Sequence, residues 1–290
     1  MDRTRDGVRT LSALPSTTVD LHLHSTASDG QLEPAVVVER AAAVGLSAIA
    51  LTDHDTMAGV GDAVAAGERL GVRVIGGCEF SVAAPWGEMH VLGYFLPSGS
   101  PELEAFLVAC REDRLRRGRL IAERLQALGV TVTFQDILRA AGGGAVGRPH
   151  AARAIIAAGD ARDLNDAFDR FLGRGRPAFV EKVLPQFREV ARIVHQVGGL
   201  VSAAHLKDRA TRSVLERFRA DGLDALETRH PSHSPDQRAR LTDLALGLGL
   251  LRTGGSDWHG DSLTDGSHAT IGSQAVPGEW LGALEARRAA

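Results

Sequence analysis

Short apolar runs alternate with stretches of helical periodicity along most of this 290-residue chain, and no other feature restricts its fold so strongly. "TVDLHLH" has the two-residue alternation of a strand, and "PAVVVERAAAVG" follows as a helix with Pro34 in its first turn and Gly45 at its end. "LSAIALTDHD" reads as the next strand, "VGDAVAAGERLG" as a helix, and "VRVIGGCEFSV" and "MHVLGYF" as strands joined through "AAPWGE". From residue 177 the alternation resumes with strands at "GLVSAAH", "LDALETRH" and "LLRTGGSDWH", each preceded by a helix. Repeated βα units of this length predict an α/β fold with a parallel sheet or barrel.

Between the two series, residues 101–176 are rich in helical pattern and poor in strands. The expected organisation is a loose polar tail over residues 1–16, a barrel built from 17–100 and 177–290, and a helical insertion over 101–176 that covers the active-site face. A hydrophobic content of 44% is enough for such a core. Formal charge is only −3, but residues 111–176 hold 13 Arg and no Lys against 8 Asp plus Glu. A basic segment on an acidic body fits solvated helix faces or a surface for an anionic ligand. No run of about twenty apolar residues and no basic-then-apolar leader is visible, so the expected location is the cytosol. Cys78 and Cys110 lie far apart and outside any CxxC pattern, which argues against a disulfide framework or a zinc-thiolate site.

Ligand-type side chains recur where the strands end, the edge at which βα barrels assemble active sites. His22 and His24 close the first strand, and residues two apart on a strand point the same way, so both can reach one ion. Asp257 and His259 repeat that spacing at the last strand. Glu79, expected to close the third strand, sits in an otherwise apolar run, where an unpaired carboxylate is costly and a nearby cation is the better explanation. Asp29 suits either a turn beside Gly30 or a ligand position. His54, His90 and His205 complete the convergence, while Asp53 and Asp55, on the opposite face from His54, suit supporting or helix-capping roles. His195 and His268 stand apart and are expected to face solvent.

The segments "DLHLHSTASDG", "LTDHDT", "GCEFS", "HVLGY" and "GGSDWHG", in this order between Val19 and Gly260, resemble the PHP family, named for its polymerase-associated and histidinol-phosphatase members. "GRPHAA" and "HPSHSPDQ" more narrowly resemble its 3',5'-nucleoside bisphosphate phosphatases, whose members also trim short RNA from the 5' end. The resemblance implies a distorted (β/α)7 barrel, similar to a TIM barrel, with three divalent ions. The implied ligand sets are His22, His24, Glu79 and Asp257 for one ion, Glu79, His90 and His205 for a second, and Asp29, His54 and His259 for a third. The first set is expected to be the catalytic one. Mixed nitrogen and oxygen ligation suits Mn, Fe or Zn, with manganese the family expectation. Where the family usually reads "AHP", this chain reads "AHLKD".

The expected reaction is hydrolysis of a nucleotide phosphomonoester, first the 3'-phosphate of nucleoside 3',5'-bisphosphates, with 5'-3' trimming of short RNA alongside. Clustered divalent ions make hydroxide available near neutral pH and neutralise phosphate oxygens. Arg148, His150, His230 and His233 are the candidate substrate-binding residues, since an Arg fork fits phosphate and a histidine can protonate a leaving oxygen. The partner is thus a phosphorylated small molecule or short RNA, not a membrane, and the chain is too short to carry a polymerase. Two alternatives are a phosphatase for a metabolite such as histidinol phosphate and a non-catalytic metal-binding module. The second would show eroded ligands, and none of the nine positions is eroded.

Overall fold

A computed structural model describes residues 17–260 and 270–290. The tail expected over residues 1–16 and the position of His268 lie outside them. Strand β1 (Thr18–Leu23) leads through α1 (Pro34–Ala43) to β2 (Ala48–Leu51), and α2 (Val60–Leu70) leads to β3 (Arg73–Ala84). β1, β2 and β3 are parallel neighbours. β4 (Gly87–Tyr94) breaks the expected series, because it pairs antiparallel with β3 and with β5 (Leu200–Ala203). The cause is local: only Pro85 and Trp86 separate the paired Ala84 and Gly87, a tight hairpin that leaves no room for a crossover helix. The expectation that Glu79 closes the third strand is corrected with it. β3 continues five residues past Glu79 as a two-stranded ribbon, and Glu79 reaches the rim from mid-strand.

The parallel alternation resumes from β5 through α8 (Arg212–Ala220), β6 (Ala225–Arg229), α9 (Pro235–Leu248) and β7 (Leu251–Gly254). The strand order is β7-β6-β5-β4-β3-β2-β1-β8, a nearly closed barrel. Its seam is closed at one end by β8 (Val276–Pro277), antiparallel to β1, and at the other by a bridge from Leu23 to Trp258. β8 and the final helix α10 (Gly278–Ala289) were not anticipated from the sequence. Trp280, Leu281 and Leu284 of α10 join Val19, Leu21 and Val276 in the apolar cluster beneath the seam.

Between β4 and β5 lie α3 (Pro101–Ala127), α4 (Phe134–Ala141), α5 (Arg148–Ala157), the short α6 (Leu164–Ala167), a π-helical turn over Phe168–Leu172, and α7 (Phe187–Gln196). Side-chain oxygens of Ser100, Thr133 and Asp163 cap the N-termini of α3, α4 and α6. Asp136 N donates to Thr133 Oγ1 while Thr133 N donates to Asp136, a capping box that satisfies the first orphan amides of α4. Ile121, Leu125, Ile137, Val146, Ile155 and Leu172 form an apolar cluster of their own in this layer. Among the described residues no helix is long and apolar enough to cross a membrane.

Candidate metal centre

The strand ends bring the nine expected ligands to one rim. Glu79, 1% exposed, is the hub. Its Oε2 lies 3.3 Å from His22 Nε2, 3.1 Å from His24 Nε2 and 3.3 Å from His54 Nδ1. Its Oε1 lies 2.9 Å from His90 Nδ1 and 3.1 Å from His205 Nε2. One carboxylate thus faces five imidazoles, divided between its two oxygens. Asp257 Oδ1 lies 3.3 Å from His22 Nε2 and 3.2 Å from His24 Nε2, and Asp29 Oδ1 lies 3.3 Å from His259 Nε2. His54 Nε2 is 3.9 Å from Asp29 Oδ2. Asp29, His54, Glu79, His90, His205, Asp257 and His259 line a pocket of about 420 Å³.

Whether these groups suit cations can be judged from the buried nitrogens. His22 Nε2, His24 Nε2 and His54 Nδ1 are shielded from solvent and close to carboxylate oxygens, yet make no hydrogen bond. Nitrogens and oxygens crowd around shared points instead of addressing one another, an arrangement that cations resolve. Two four-residue sets place one ligand atom each within 4.8 Å of all the others: His22, His24, Glu79 with Asp257, and His24, Asp29, His54 with His259. His54, Glu79 and His90 form a third set. The donors fit divalent ions.

Electrostatics keep the acids ionised. Burial works against a charged Glu79, but His54, His90 and His22 outweigh it and hold the carboxyl well below its usual range. Asp257 is held low against burial in the same way, by His22, His230 and His24. Burial pushes His54 down to about 3, leaving a neutral imidazole. At His24 and His90 burial opposes protonation too, yet the carboxylates prevail and raise them to about 10 and about 9. Backbone strain gathers here as well: Asp55, His205 and Asp257 adopt φ of 52°, 32° and 52°. Close approach does the rest. A Cβ on Gly255 would stand 2.4 Å from His22 Cβ, so only glycine lets the chain leaving β7 pass behind the first ligand.

A supporting shell orients the ligands, and sequence reasoning had missed most of it. Glu227, wholly buried on β6, accepts from His22 Nδ1 at 2.9 Å and from His205 N at 2.7 Å, turning His22 Nε2 toward the cluster. The signal that singled out Glu79, a carboxylate inside an apolar strand, is equally present in "DALET". Glu88 holds His90 Nε2 at 3.2 Å and is itself engaged by Lys182. Asp53 accepts from Ser25 N, Ser25 Oγ and Ser28 Oγ, fixing the loop that carries His24 and Asp29. Asp55 accepts from Arg114 Nε of α3 at 2.7 Å, and Arg114 Nη1 donates to Val146 O, so one buried guanidinium ties the helical layer to the His54 loop. In "AHLKD", Leu206 is buried in the core, and Lys207, with φ 51°, lines the metal pocket.

The four candidate substrate residues do not converge. His230 lines the metal pocket, with Nε2 3.2 Å from Asp257 Oδ2 and Nδ1 accepting from Ser232 N. Arg148 lines a neighbouring cavity and packs its guanidinium against Phe168 and Phe179. His150 is buried, its Nδ1 accepting from Gly147 N at the start of α5. His233 is buried behind His230 with Nδ1 3.3 Å from Thr228 O. His195, expected to face solvent, is exposed but paired with Asp224 at 2.7 Å.

The model of the family described as "PHP domain" matches residues 20–245. The chain belongs to the PHP family. As a PHP member it is a metal-dependent phosphoesterase. It is 34% identical over 247 residues to the 5'-3' exoribonuclease Rnm of Salmonella typhimurium, covering 83% of this chain and 84% of that protein. It is 33% identical over 249 residues to the 3',5'-nucleoside bisphosphate phosphatase of Chromobacterium violaceum, covering 83% and 87%. The crystal structure of a Bifidobacterium adolescentis protein described as a metal-dependent phosphoesterase superposes with a TM-score of 0.87 at 32% identity over 94% of this chain and 97% of that one.

Proposed function

We propose that this PHP phosphoesterase hydrolyses a phosphomonoester of a nucleotide, the 3'-phosphate of nucleoside 3',5'-bisphosphates, and shortens 5'-phosphorylated RNA at the same centre. The observation that carries the reading is the division of Glu79 between His22, His24 and His54 on one oxygen and His90 and His205 on the other. It suits a carboxylate that bridges cations. His22, His24, Glu79 and Asp257 would hold one ion, Glu79, His90 and His205 a second, and Asp29, His54 and His259 a third, manganese being the expected metal. Bound there, divalent ions would polarise the phosphoryl oxygens and make hydroxide available near neutral pH.

The chain's own groups do the remainder. His230, whose Nε2 is a hydrogen-bond distance from Asp257, is the group read as protonating the leaving oxygen. Lys207 offers a cation in the pocket, and Arg148 one in the neighbouring cavity, for a second phosphate. The helical layer over 101–176 is read as its cover: Arg153 Nη2 donates to Asp29 O at 2.7 Å, and Ala145 N donates to Ala27 O. The relatives named for nucleoside bisphosphates and RNA support this choice of substrate.

The test is phosphate release from adenosine 3',5'-bisphosphate, AMP, histidinol phosphate and a short 5'-phosphorylated RNA, with metal content measured by mass spectrometry. Preference for the bisphosphate with two or three ions per chain is the expected result. Preference for histidinol phosphate would sink the nucleotide assignment and leave the metal centre standing.

A further inference from the structure

A second cavity, of about 360 Å³, opens beside the metal pocket; of its lining residues Glu88 and Lys182 support His90, while Trp86, Arg174, Phe179 and Arg209 serve neither the ligands nor their supports. Three links join the two. Glu88 lines the second cavity and contacts His90 of the first. Arg148 packs 5.7 Å from the ring of Phe168, which lines the metal pocket, and 5.5 Å from that of Phe179, which lines the second cavity. The turn over Lys207–Arg209 sends Lys207 to one and Arg209 to the other.

Its walls combine cations with aromatic faces. Arg148, Arg174, Lys182 and Arg209 stand against two acids, and Glu88 is already engaged by Lys182 and His90. Glu181 approaches Arg174 only to 4.0 Å, with both side chains largely exposed. Among the described residues neither Arg148 nor Arg209 has a carboxylate within ion-pair distance, and Glu88 acts on Arg148 only from farther off. Arg148 is half-buried all the same, and Arg209 lies 5.6 Å over the ring of Trp86. A half-buried guanidinium without a paired acid needs an anion from elsewhere. Guanidiniums interleaved with half-buried aromatic rings make the surface on which single strands lay phosphates and stack bases.

We propose that this cavity receives the part of a single-stranded oligonucleotide beyond the nucleotide held at the metal centre. Arg148, Arg174 and Arg209 take backbone phosphates, and Trp86 or Phe179 stacks a base. The inference rests on the nucleotide reading above and extends it from mononucleotides to strands.

The test uses the full, metal-loaded chain with Arg209→Glu, Trp86→Ala and the conservative Trp86→Phe. Arg209 is exposed, so its replacement leaves the core intact. Binding of a labelled single-stranded 2'-O-methyl phosphorothioate octamer is followed by fluorescence anisotropy at several salt concentrations. Turnover of a 5'-phosphorylated RNA octamer is compared with that of adenosine 3',5'-bisphosphate. Arg209→Glu and Trp86→Ala are expected to weaken octamer binding about tenfold or more, and Trp86→Phe much less. Arg209→Glu should also flatten the salt dependence. The octamer-to-bisphosphate ratio of kcat/KM should fall about tenfold in step. Unchanged octamer affinity in both variants, equal losses on both substrates, or equally tight binding of a duplex or an acidic peptide would overturn the proposal. Wild-type protein that turns over neither substrate would overturn the nucleotide reading and this inference together. Failure of the cavity alone looks different, because bisphosphate turnover is then normal.

Discussion

Around Glu79, buried nitrogens and oxygens crowd within 3.3 Å of one another and leave His22 Nε2, His24 Nε2 and His54 Nδ1 without hydrogen bonds. In the helical layer, α4 closes its own N-terminus with a capping box, and Ile121, Leu125, Ile137 and Ile155 pack a core that needs no guest. The rim carries the cost of unsatisfied polar groups that a ligand relieves, whereas among the described residues of the layer the one such atom is Arg114 Nη2, ion-paired with Asp55 at 2.6 Å. Stability and chemistry are thus assigned to different parts of the chain, and Arg114 with Asp55 is the buried contact where they meet.

The largest effect should come from removing the hub. Glu79→Gln is expected to lower activity by about 10³-fold or more, since loss of partners outside the ligand shell already costs roughly 10 to 100-fold. Metal content should fall with it while α3 to α5 keep their helical signal in circular dichroism. Loss of that helicity would break the separation of rim from layer.

Arg114→Met probes the junction. It leaves Asp55 buried and unpaired, at a cost of about 3–5 kcal/mol in urea denaturation, and Asp55→Asn added to it should restore part of the loss. A single variant as stable as wild type would mean that layer and rim are not coupled through this pair.

A smaller change is expected from Glu227→Gln, which keeps the shape of the shell while weakening its grip on His22 Nδ1. Metal affinity should drop about 10 to 100-fold with little loss of stability. Equilibrium dialysis against manganese measures it, and unchanged affinity would remove Glu227 from the metal centre.

The mildest test is pH. His24 and His90 have pKa values raised to about 10 and about 9 in the metal-free protein. Their protonation therefore stabilises the metal-free fold fully below about pH 6.5, and that contribution disappears as pH rises through 9 and 10. Cations compete with those protons, so metal affinity should increase between pH 6 and 8, and calorimetry in buffers of different ionisation enthalpy should register proton release. No release would mean that these imidazoles are neutral before metal arrives.

Much of the centre was legible in the sequence because strand alternation is a local rule. His22 with His24 and Asp257 with His259 are two apart on or just after a strand, so their shared face follows from the pleat alone. Glu79 was legible as a charge in an apolar run. Glu227 obeys the same rule, but its partner His22 lies 205 positions away, so its part in the centre has no local sign. Arg148, His150 and His233 were grouped with His230 by motif, yet only His230 lines the metal pocket. A motif preserves order along the chain and says nothing of which side of a helix faces the pocket.

By itself the sequence determined the kinds and order of the elements, the βα series on either side of a helical stretch, and the residues able to hold cations. Those follow from periodicity and turn chemistry acting over a few residues. Tertiary structure alone decided that β8 and α10 close the seam. It also decided which oxygen of Glu79 meets which imidazole, and that Arg114 reaches Asp55 across 59 positions of chain. These are matters of long-range register, set when distant segments pack together, and no local pattern encodes them.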